Sequence, residues 1–329
     1  MKLLVLSAEE VRRALPMSAA IEGMKAAFAQ LSSGQALVPQ RTQLPIAQHE
    51  GISIFMPAYL AAAEALAIKI VSVFPRNVQR DIPSIHGLVV ALDSQTGKPQ
   101  ALLEGGTLTA IRTGAGSGAA TDVLARKDAS IVAIIGSGVQ ARTQLEAVCT
   151  VRSFNEVRVF SPNRQHAQAF AAEMAGQGPI PDNVRATETA DEAVAGAHVI
   201  CTATSSSTPV FSGTVLAAGS HVNAVGSFRT DMQEVDVDTV RQALVVVDSR
   251  EAAREEAGDL MIPIRDGVFE FDHIHAELGQ ILTGKCTGRA SDEQMTYFKS
   301  VGVAVQDAIA ASIALSNARQ QGLGVEIVL

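Results

Sequence analysis

The chain has 329 residues, of which 47% are hydrophobic and 18% charged, and its net charge is −8 at pH 7. This length and composition predict two domains with large cores, and the negative charge argues against nucleic acid and anionic membrane surfaces as partners. No apolar run reaches membrane-spanning length, and the N-terminus becomes charged at Glu9 and Glu10 too early for a signal peptide, so a cytoplasmic location is expected.

The first hundred-odd residues predict a separate α+β unit. Ser7-Ala-Glu-Glu10 is a capping-box pattern, and Pro16 can start a second helix that ends before Gly34. A helix rich in Ala and Gly is predicted over residues 109–124, where it crosses into the next domain. The strand-like segments between these helices are residues 51–57, 65–74, 87–93 and 100–103.

A glycine loop in mid-chain predicts a dinucleotide site. An apolar strand over residues 131–135 runs into Gly136-Ser-Gly138, and a helix over 139–151 and a strand over 157–160 follow. Such glycines allow a tight turn into a helix whose unpaired N–H groups bind a pyrophosphate. The alternative is an ordinary glycine turn in an α/β domain. The candidate cofactor contacts of the loop are Gly136, Gly138 and Val139.

The residues at the end of the second strand indicate which dinucleotide binds. Ser161 stands where an NAD site usually carries the acid that binds the ribose 2′-hydroxyl group, and Asn163 and Arg164 offer donors for a 2′-phosphate. The sequence therefore favours NADPH, with NADH still possible. The alternative is that Arg164 is a solvated residue in the first turn of the next helix.

The rest of the chain continues the α/β pattern. Further strands over residues 198–203, 221–225 and 244–248 predict a doubly wound parallel sheet. One long helix is predicted over 296–319, with Phe298, Val301 and Val305 on its apolar stripe, and it should pack back on the first domain. The expected domains are therefore a discontinuous α+β unit of residues 1–120 and 296–329, and a dinucleotide-binding unit of residues 121–295.

Cysteine and histidine spacing does not indicate a metal. The three cysteines are odd in number and widely separated, and His273-Ile-His275 is the only close histidine pair. Neither a disulfide framework nor a metal site is expected.

Three cations of the first domain lie in unusual surroundings. Lys69 interrupts an apolar strand, and an unpaired buried charge is costly, so it must meet an anion or reach solvent. Arg41 and Arg112 could hold a carboxylate bidentately while Lys69 donates to it or to a reacting nitrogen. The alternatives are an outward-facing edge lysine and two surface arginines.

Six segments carry distinctive motifs. They begin at Leu108, Ile134, Ala224, Glu256, Glu277 and Phe298, the last reading Phe298-Lys-Ser-Val-Gly-Val-Ala-Val-Gln-Asp307. With these motifs the chain resembles, over nearly its whole length, one known family, that of ornithine cyclodeaminase and mu-crystallin. The resemblance implies an N-terminal substrate and dimerisation domain, a Rossmann domain and a homodimer. It also implies that Arg41, Lys69 and Arg112 bind the carboxylate and nitrogen of the substrate. The residues it places near the cofactor are His86, Thr113, Gln140, Thr204 and Val225.

One departure separates members of that family. Cyclodeaminases resembling this chain carry an Asp two residues after the glycine of the Val225-Gly226 pair, where this chain has Phe228. The resemblance therefore favours members that reduce cyclic ketimines such as Δ1-pyrroline-2-carboxylate or Δ1-piperideine-2-carboxylate, with Lys69 as the catalytic residue. Ser227 and Arg229 are expected to border the pocket and Phe228 to form an apolar wall, unless Phe228 turns into the core.

Two other functions stay open. The same carboxylate-binding cations would serve a cyclodeaminase acting on ornithine or lysine, or an alanine-type dehydrogenase. The non-enzymatic alternative is a small-molecule binding protein that retains NADPH without turnover.

Overall fold

The structure is a computed structural model that describes all of residues 1–329. The strands are β1 (Lys2–Leu6), β2 (Ala36–Leu37), β3 (Thr42–Ile46), β4 (Gly51–Leu60), β5 (Ala65–Val73), β6 (Ile85–Asp93), β7 (Pro99–Glu104), β8 (Ile131–Ile135), β9 (Glu156–Phe160), β10 (Val184–Ala186), β11 (Val199–Thr202), β12 (His221–Ala224), β13 (Leu244–Val247), β14 (Ile274–Glu277), β15 (Thr296–Lys299) and β16 (Val325–Val328). The helices are α1 (Ala8–Ala14), α2 (Met17–Ser32), α3 (Gly105–Leu124), α4 (Val139–Val151), α5 (Arg164–Met174), α6 (Ala190–Val194), α7 (Val237–Gln242), α8 (Arg250–Glu256), α9 (Gly258–Arg265), α10 (Leu278–Leu282) and α11 (Ala304–Gln321). None of these helices combines the length and the apolar character that crossing a membrane requires.

The first compact unit comprises Met1–Arg112 and Val303–Leu329. Its sheet has the order β16-β1-β7-β6-β5-β4-β2, and β3 also pairs with β4. Helix α11 packs against β4, β5, β6 and α2. The two helices approach closely at Gly23, where an added Cβ atom would lie 2.5 Å from Cδ1 of Ile313. The C-terminal helix thereby covers one face of the sheet.

Helix α3 begins at Gly105, earlier than the predicted residue 109. The Glu104 carboxylate accepts hydrogen bonds from the N–H groups of Gly106 (2.6 Å) and Thr107 (2.8 Å), which caps the first turn. A Cβ atom on Gly105 would lie 2.4 Å from the carbonyl carbon of Gly87, so only glycine fits where the helix starts beside β6.

The second compact unit comprises Thr113–Gly302. Its eight strands pair in parallel in the order β10-β9-β8-β11-β12-β15-β13-β14. Two buried apolar clusters cover it, one built around Val132, Val157 and Phe170 and the other around Ile200, Val222 and Val245. The predicted α/β class with a doubly wound parallel sheet is confirmed.

The predicted long helix over residues 296–319 is wrong in its first part. Residues Thr296–Lys299 form β15, a fully buried strand between β12 and β13, and the helix starts only at Ala304. Gly302 has φ 85°, which interrupts any helix, and the Asp248 carboxylate accepts hydrogen bonds from the N–H groups of Val301 (2.9 Å) and Gly302 (2.8 Å). The second unit therefore runs to Gly302 rather than to residue 295, and the first unit ends its N-terminal part at Arg112 rather than at residue 120.

Candidate active site

Lys69 lies in the middle of the first unit's sheet. It faces Met56 of β4 and Val89 of β6 in the antiparallel register, and only 3% of its surface is exposed. The alternative of an outward-facing edge residue is wrong, because strands flank β5 on both sides. A buried ammonium group in such a strand needs an anionic partner.

That partner is Asp307 of α11. The Lys69 Nζ atom lies 2.8 Å from Asp307 Oδ2, and the Arg112 Nε–H donates to Oδ1 (3.0 Å). The Arg112 Nη1–H donates to Gln306 Oε1 (3.0 Å), which also accepts from the Val303 N–H (2.9 Å) and so caps α11. The start of one helix therefore orients both cations.

The charges of this cluster do not balance. The pKa of Lys69 is lowered to about 8, chiefly by burial and also by the charges of Arg112 and Arg41, while Asp307 opposes the decrease. Burial alone would raise the pKa of Asp307, but Arg112 and Lys69 hold it below its ordinary value. One carboxylate thus contacts two buried cations, Lys69 and Arg112, and the excess positive charge suits a bound carboxylate.

Arg41 and His86 belong to the same unit as this cluster. Arg41 directly precedes β3, whose Thr42 pairs with Phe55, and its charge reaches Lys69. His86 pairs with Ser72 across β5 and β6 and is exposed.

In the second unit, the loop after β8 has the geometry of a nucleotide cradle. Gly136 has φ 114°, and a Cβ atom there would lie 2.5 Å from the Ala203 carbonyl oxygen, whereas a Cβ atom on Gly138 would meet open space. Gly138 caps α4 without a side-chain bond, which leaves N–H groups of the first turn for a ligand. The Arg142 Nη1 group donates to the Ser137 carbonyl (2.7 Å) and braces the loop.

Two further features fit a bound dinucleotide. The side-chain oxygen of Gln140 is buried without a hydrogen-bond partner, as expected of an atom that a ligand would satisfy. Val139 is 66% exposed at the start of α4, and this apolar side chain would be removed from water by packing against a ligand. These residues fit a pyrophosphate and its flanking ribose.

The residues predicted to bind a 2′-phosphate form contacts with neighbouring residues in this structure. The Ser161 hydroxyl accepts from Ser137 Oγ (3.0 Å), and the Asn163 side-chain oxygen caps α5 by accepting from Gln165 and His166. Arg164 is exposed at the first position of α5 and forms an ion pair with Glu188 (2.6 Å).

The strand order reverses between β8 and β11, and ligands of doubly wound sheets bind at that point, beside the carboxyl ends of the strands. Thr204 follows β11 and Val225 follows β12 at these ends, whereas Thr113 is buried in α3.

The loop after β12 presents Phe228. Ser227 is fully buried and donates its hydroxyl to the Met232 carbonyl (2.9 Å), so that hydroxyl group is used within the loop. Phe228 is 47% exposed and does not turn into the core. Arg229 is exposed and forms a bidentate ion pair with Asp231.

The sequence reasoning missed three polar residues. Gln306 and Asp307 are a polar pair within the apolar run of α11, and that contrast was a readable signal. Glu234 is fully buried beside the loops after β11 and β12 and gave no local signal.

The parallel sheet and its glycine cradle define a class, the dinucleotide-binding α/β proteins. More narrowly, the chain belongs to the ornithine cyclodeaminase/mu-crystallin family, whose sequence profile it matches over residues 1–322. A Delta(1)-pyrroline-2-carboxylate reductase of Bacillus cereus is 45% identical over 326 residues, which cover 99% of each chain.

Two solved structures are similar over the full length. The Thermococcus litoralis Delta(1)-pyrroline-2-carboxylate reductase in complex with NADH and L-proline has a TM-score of 0.94 at 42% identity, covering 99% of this chain and 100% of that chain. An archaeal alanine dehydrogenase dimer with bound NAD has a TM-score of 0.92 at 32% identity, covering 100% of both chains.

Proposed function

We propose that the protein is an NAD(P)H-dependent oxidoreductase that reduces a cyclic ketimine carboxylate. The substrates would be Δ1-pyrroline-2-carboxylate, giving L-proline, Δ1-piperideine-2-carboxylate, giving L-pipecolate, or both. The observation that carries the proposal is the buried cluster in which the carboxylate of Asp307 contacts both Lys69 and Arg112, with Arg41 close enough to lower the pKa of Lys69. The reductase names of the similar Bacillus and Thermococcus proteins support the same reaction.

The three cations have two roles in this reaction. Arg112 is held by Asp307 and Gln306, so its guanidinium group is oriented before the substrate arrives, and with Arg41 it binds the substrate carboxylate. Lys69, with a pKa of about 8, is protonated at neutral pH and donates its proton to the ring nitrogen. When bound, a reduced nicotinamide would supply the hydride for the C=N carbon. The product is a cyclic amino acid with one new C–H and one new N–H bond.

The cofactor would bind to the second unit. The loop of Gly136 and Gly138 would hold the pyrophosphate. The unpaired side-chain oxygen of Gln140 would accept a hydrogen bond from a hydroxyl group of the flanking ribose. We further propose a preference for NADPH, because Ser161 does not repel a 2′-phosphate and the exposed Arg164 can turn from Glu188 to that phosphate.

We also propose a homodimer formed through the open face of the first unit's sheet. Phe55, Ile70 and Leu88 are cross-strand neighbours on the face opposite Lys69, and Leu88 is 39% exposed. A contiguous apolar sheet face of this kind marks an interaction surface, and a two-fold dimer would bury it twice. The dimer named for the similar archaeal alanine dehydrogenase supports this assembly.

A substrate panel separates this function from the alternatives. Purified protein is assayed with NADPH and NADH against both imines, against pyruvate plus ammonia, and in the oxidative direction against ornithine and lysine. Cofactor oxidation with either imine supports the proposal. Turnover of ornithine, lysine or pyruvate plus ammonia without imine turnover would overturn it in favour of a cyclodeaminase or dehydrogenase. Cofactor binding without any turnover would indicate the binding protein.

A further inference from the structure

Glu234 is a buried carboxylate of the Thr113–Gly302 unit and does not belong to the cluster of Lys69, Arg112 and Asp307. Oε1 of Glu234 accepts from the Thr204 N–H (2.6 Å), and Oε2 accepts from the N–H groups of Gly226 (2.6 Å) and Ser227 (3.1 Å) and the hydroxyl of Thr202 (3.0 Å). All four partners are donors, so the side chain serves purely as an acceptor, which is the role of an ionised carboxylate.

An ion pair holds Glu234 in place. Oδ1 of Asp259 accepts from the N–H groups of Glu234 (2.6 Å) and Val235 (3.1 Å), and Oδ2 accepts from Lys299 Nζ (2.7 Å). The side chains of Glu234, Asp259 and Lys299 are all fully buried. Burial raises the pKa of Glu234, and the charge of Lys299 opposes that rise. This arrangement fixes the backbone as well as the side chain of residue 234.

The two segments that Glu234 joins follow neighbouring strands. Thr204 follows β11, and Gly226 and Ser227 follow β12, on the side of the strand reversal away from β9. In doubly wound sheets the second strand bears the adenine ribose, so the β11 and β12 side bears the nicotinamide half. A Cβ atom on Gly226 would lie 2.2 Å from the Thr204 carbonyl oxygen, so the two segments touch.

We propose that Glu234 is a positioning residue for the nicotinamide half of the site. Its carboxylate fixes the segments after β11 and β12 relative to each other, and through the Ser227 N–H it anchors the loop that exposes Phe228. The inference rests on the proposed use of a nicotinamide cofactor and adds a residue that would act without touching cofactor or substrate.

Two measurements on Glu234→Gln test the proposal. The amide keeps one acceptor oxygen and replaces the other with an NH2 group, which cannot accept a hydrogen bond. One of the two segments should therefore lose its hydrogen bonds to residue 234. In the ligand-free protein, hydrogen exchange of peptides containing Thr204 or Gly226 and Ser227 should become about tenfold faster. The Kd of the preferred reduced cofactor should rise about tenfold, and that of the matching ADP-ribose fragment should change less than about twofold.

Asp248→Asn is the matched control. Asp248 is equally buried and accepts from four donors, those of Ser249, Ser300, Val301 and Gly302, which lie outside both segments. This control should leave exchange at Thr204 and Gly226 unchanged. If Glu234→Gln does not fold, both measurements are made on Glu234→Asp. That variant keeps the charge but shortens the side chain by one methylene group.

Three outcomes are distinguishable. Faster exchange in at least one of the two segments, together with selective weakening of reduced-cofactor binding, supports the proposal. Unchanged exchange, or equal weakening of the cofactor and the ADP-ribose fragment, overturns it. If the unaltered protein binds neither ligand, the proposed cofactor use fails, and hydrogen exchange still decides whether Glu234 fixes the two segments.

Discussion

The Lys69 ammonium group lies 2.8 Å from the Asp307 carboxylate, in an ion pair that is almost wholly buried. The pair joins the middle of a strand to the first turns of the C-terminal helix, and the same carboxylate holds Arg112. Because one anion serves both cations, with Arg41 close enough to affect Lys69, the cluster keeps a positive excess for an anionic substrate.

Removal of the Lys69 ammonium group should abolish most of the imine-reducing activity. We expect Lys69→Met to lower kcat/KM for imine reduction by about a thousandfold, because it removes the proton donor while keeping the apolar stem. The measurement is steady-state NADPH oxidation. Lys98→Met, an exposed lysine in the turn between β6 and β7, is the control and should retain activity. A Lys69→Met enzyme with ordinary kcat/KM would contradict the assigned role.

The pH profile should report the state of Lys69. Its pKa of about 8 keeps it protonated below that pH, so kcat/KM should fall as the pH rises through 8. In Asp307→Asn the charge that raises this pKa is lost, while Arg112 and Arg41 still lower it, so the falling limb should move to lower pH. The pKa of the imine itself is measured separately by NMR titration. A limb that stays in place in Asp307→Asn would remove Lys69 as its origin.

Arg164 should decide the preference for NADPH. Arg164→Ala should lower kcat/KM for NADPH about tenfold and leave that for NADH within about twofold, because only the 2′-phosphate uses the guanidinium group. Glu188→Gln is the paired variant. It frees Arg164 from its ion pair and should raise the NADPH preference a few-fold. Equal effects on both cofactors would argue against this residue as the 2′-phosphate contact.

Phe228 should contribute apolar contact to the substrate ring. We expect Phe228→Ala to lower kcat/KM for the imines about tenfold, chiefly through KM, because the lost contact area stabilises the bound ring. Val268→Ala, which also truncates an exposed apolar residue, serves as the control and should have no effect. An unchanged KM in Phe228→Ala would place this side chain outside the pocket.

The open sheet face should carry the homodimer. Leu88→Asp places a charge in the Phe55, Ile70 and Leu88 row and should convert a dimer to monomers in sedimentation velocity. Val325→Asp alters an equally apolar but more exposed residue of β16, at the edge of the sheet, and should leave the dimer intact. A monomeric unaltered protein, or a Leu88→Asp dimer of undiminished affinity, would refute this interface.

The parts of the fold that the sequence predicted best depend on local chemistry. The strand, glycine turn and helix around Gly136 follow one another in the chain, and the predicted bounds of β8 and α4 match the observed ones. The helix predicted to start at 296 failed because Phe298, Val301 and Val305 happen to fall at helical spacing. Tertiary pairing of β15 with β12 and β13 overrode that local pattern.

The polar partners of the site were harder to predict, because they are distant in the chain. Lys69 was readable as a buried cation in need of an anion, but nothing near it in sequence identified Asp307. Glu234 is still less visible, since its importance lies in backbone N–H groups of Thr204 and Gly226 that carry no sequence signal.

Isotope transfer tests the central claim most directly. The protein is incubated with Δ1-pyrroline-2-carboxylate and each stereoisomer of [4-²H]NADPH, and the product is examined by NMR and mass spectrometry. Hydride transfer to the C=N carbon predicts L-proline with one deuterium atom on Cα from one of the two stereoisomers. Proline without deuterium from both stereoisomers would contradict the account, and so would cofactor binding with neither L-proline formed here nor L-pipecolate formed from Δ1-piperideine-2-carboxylate.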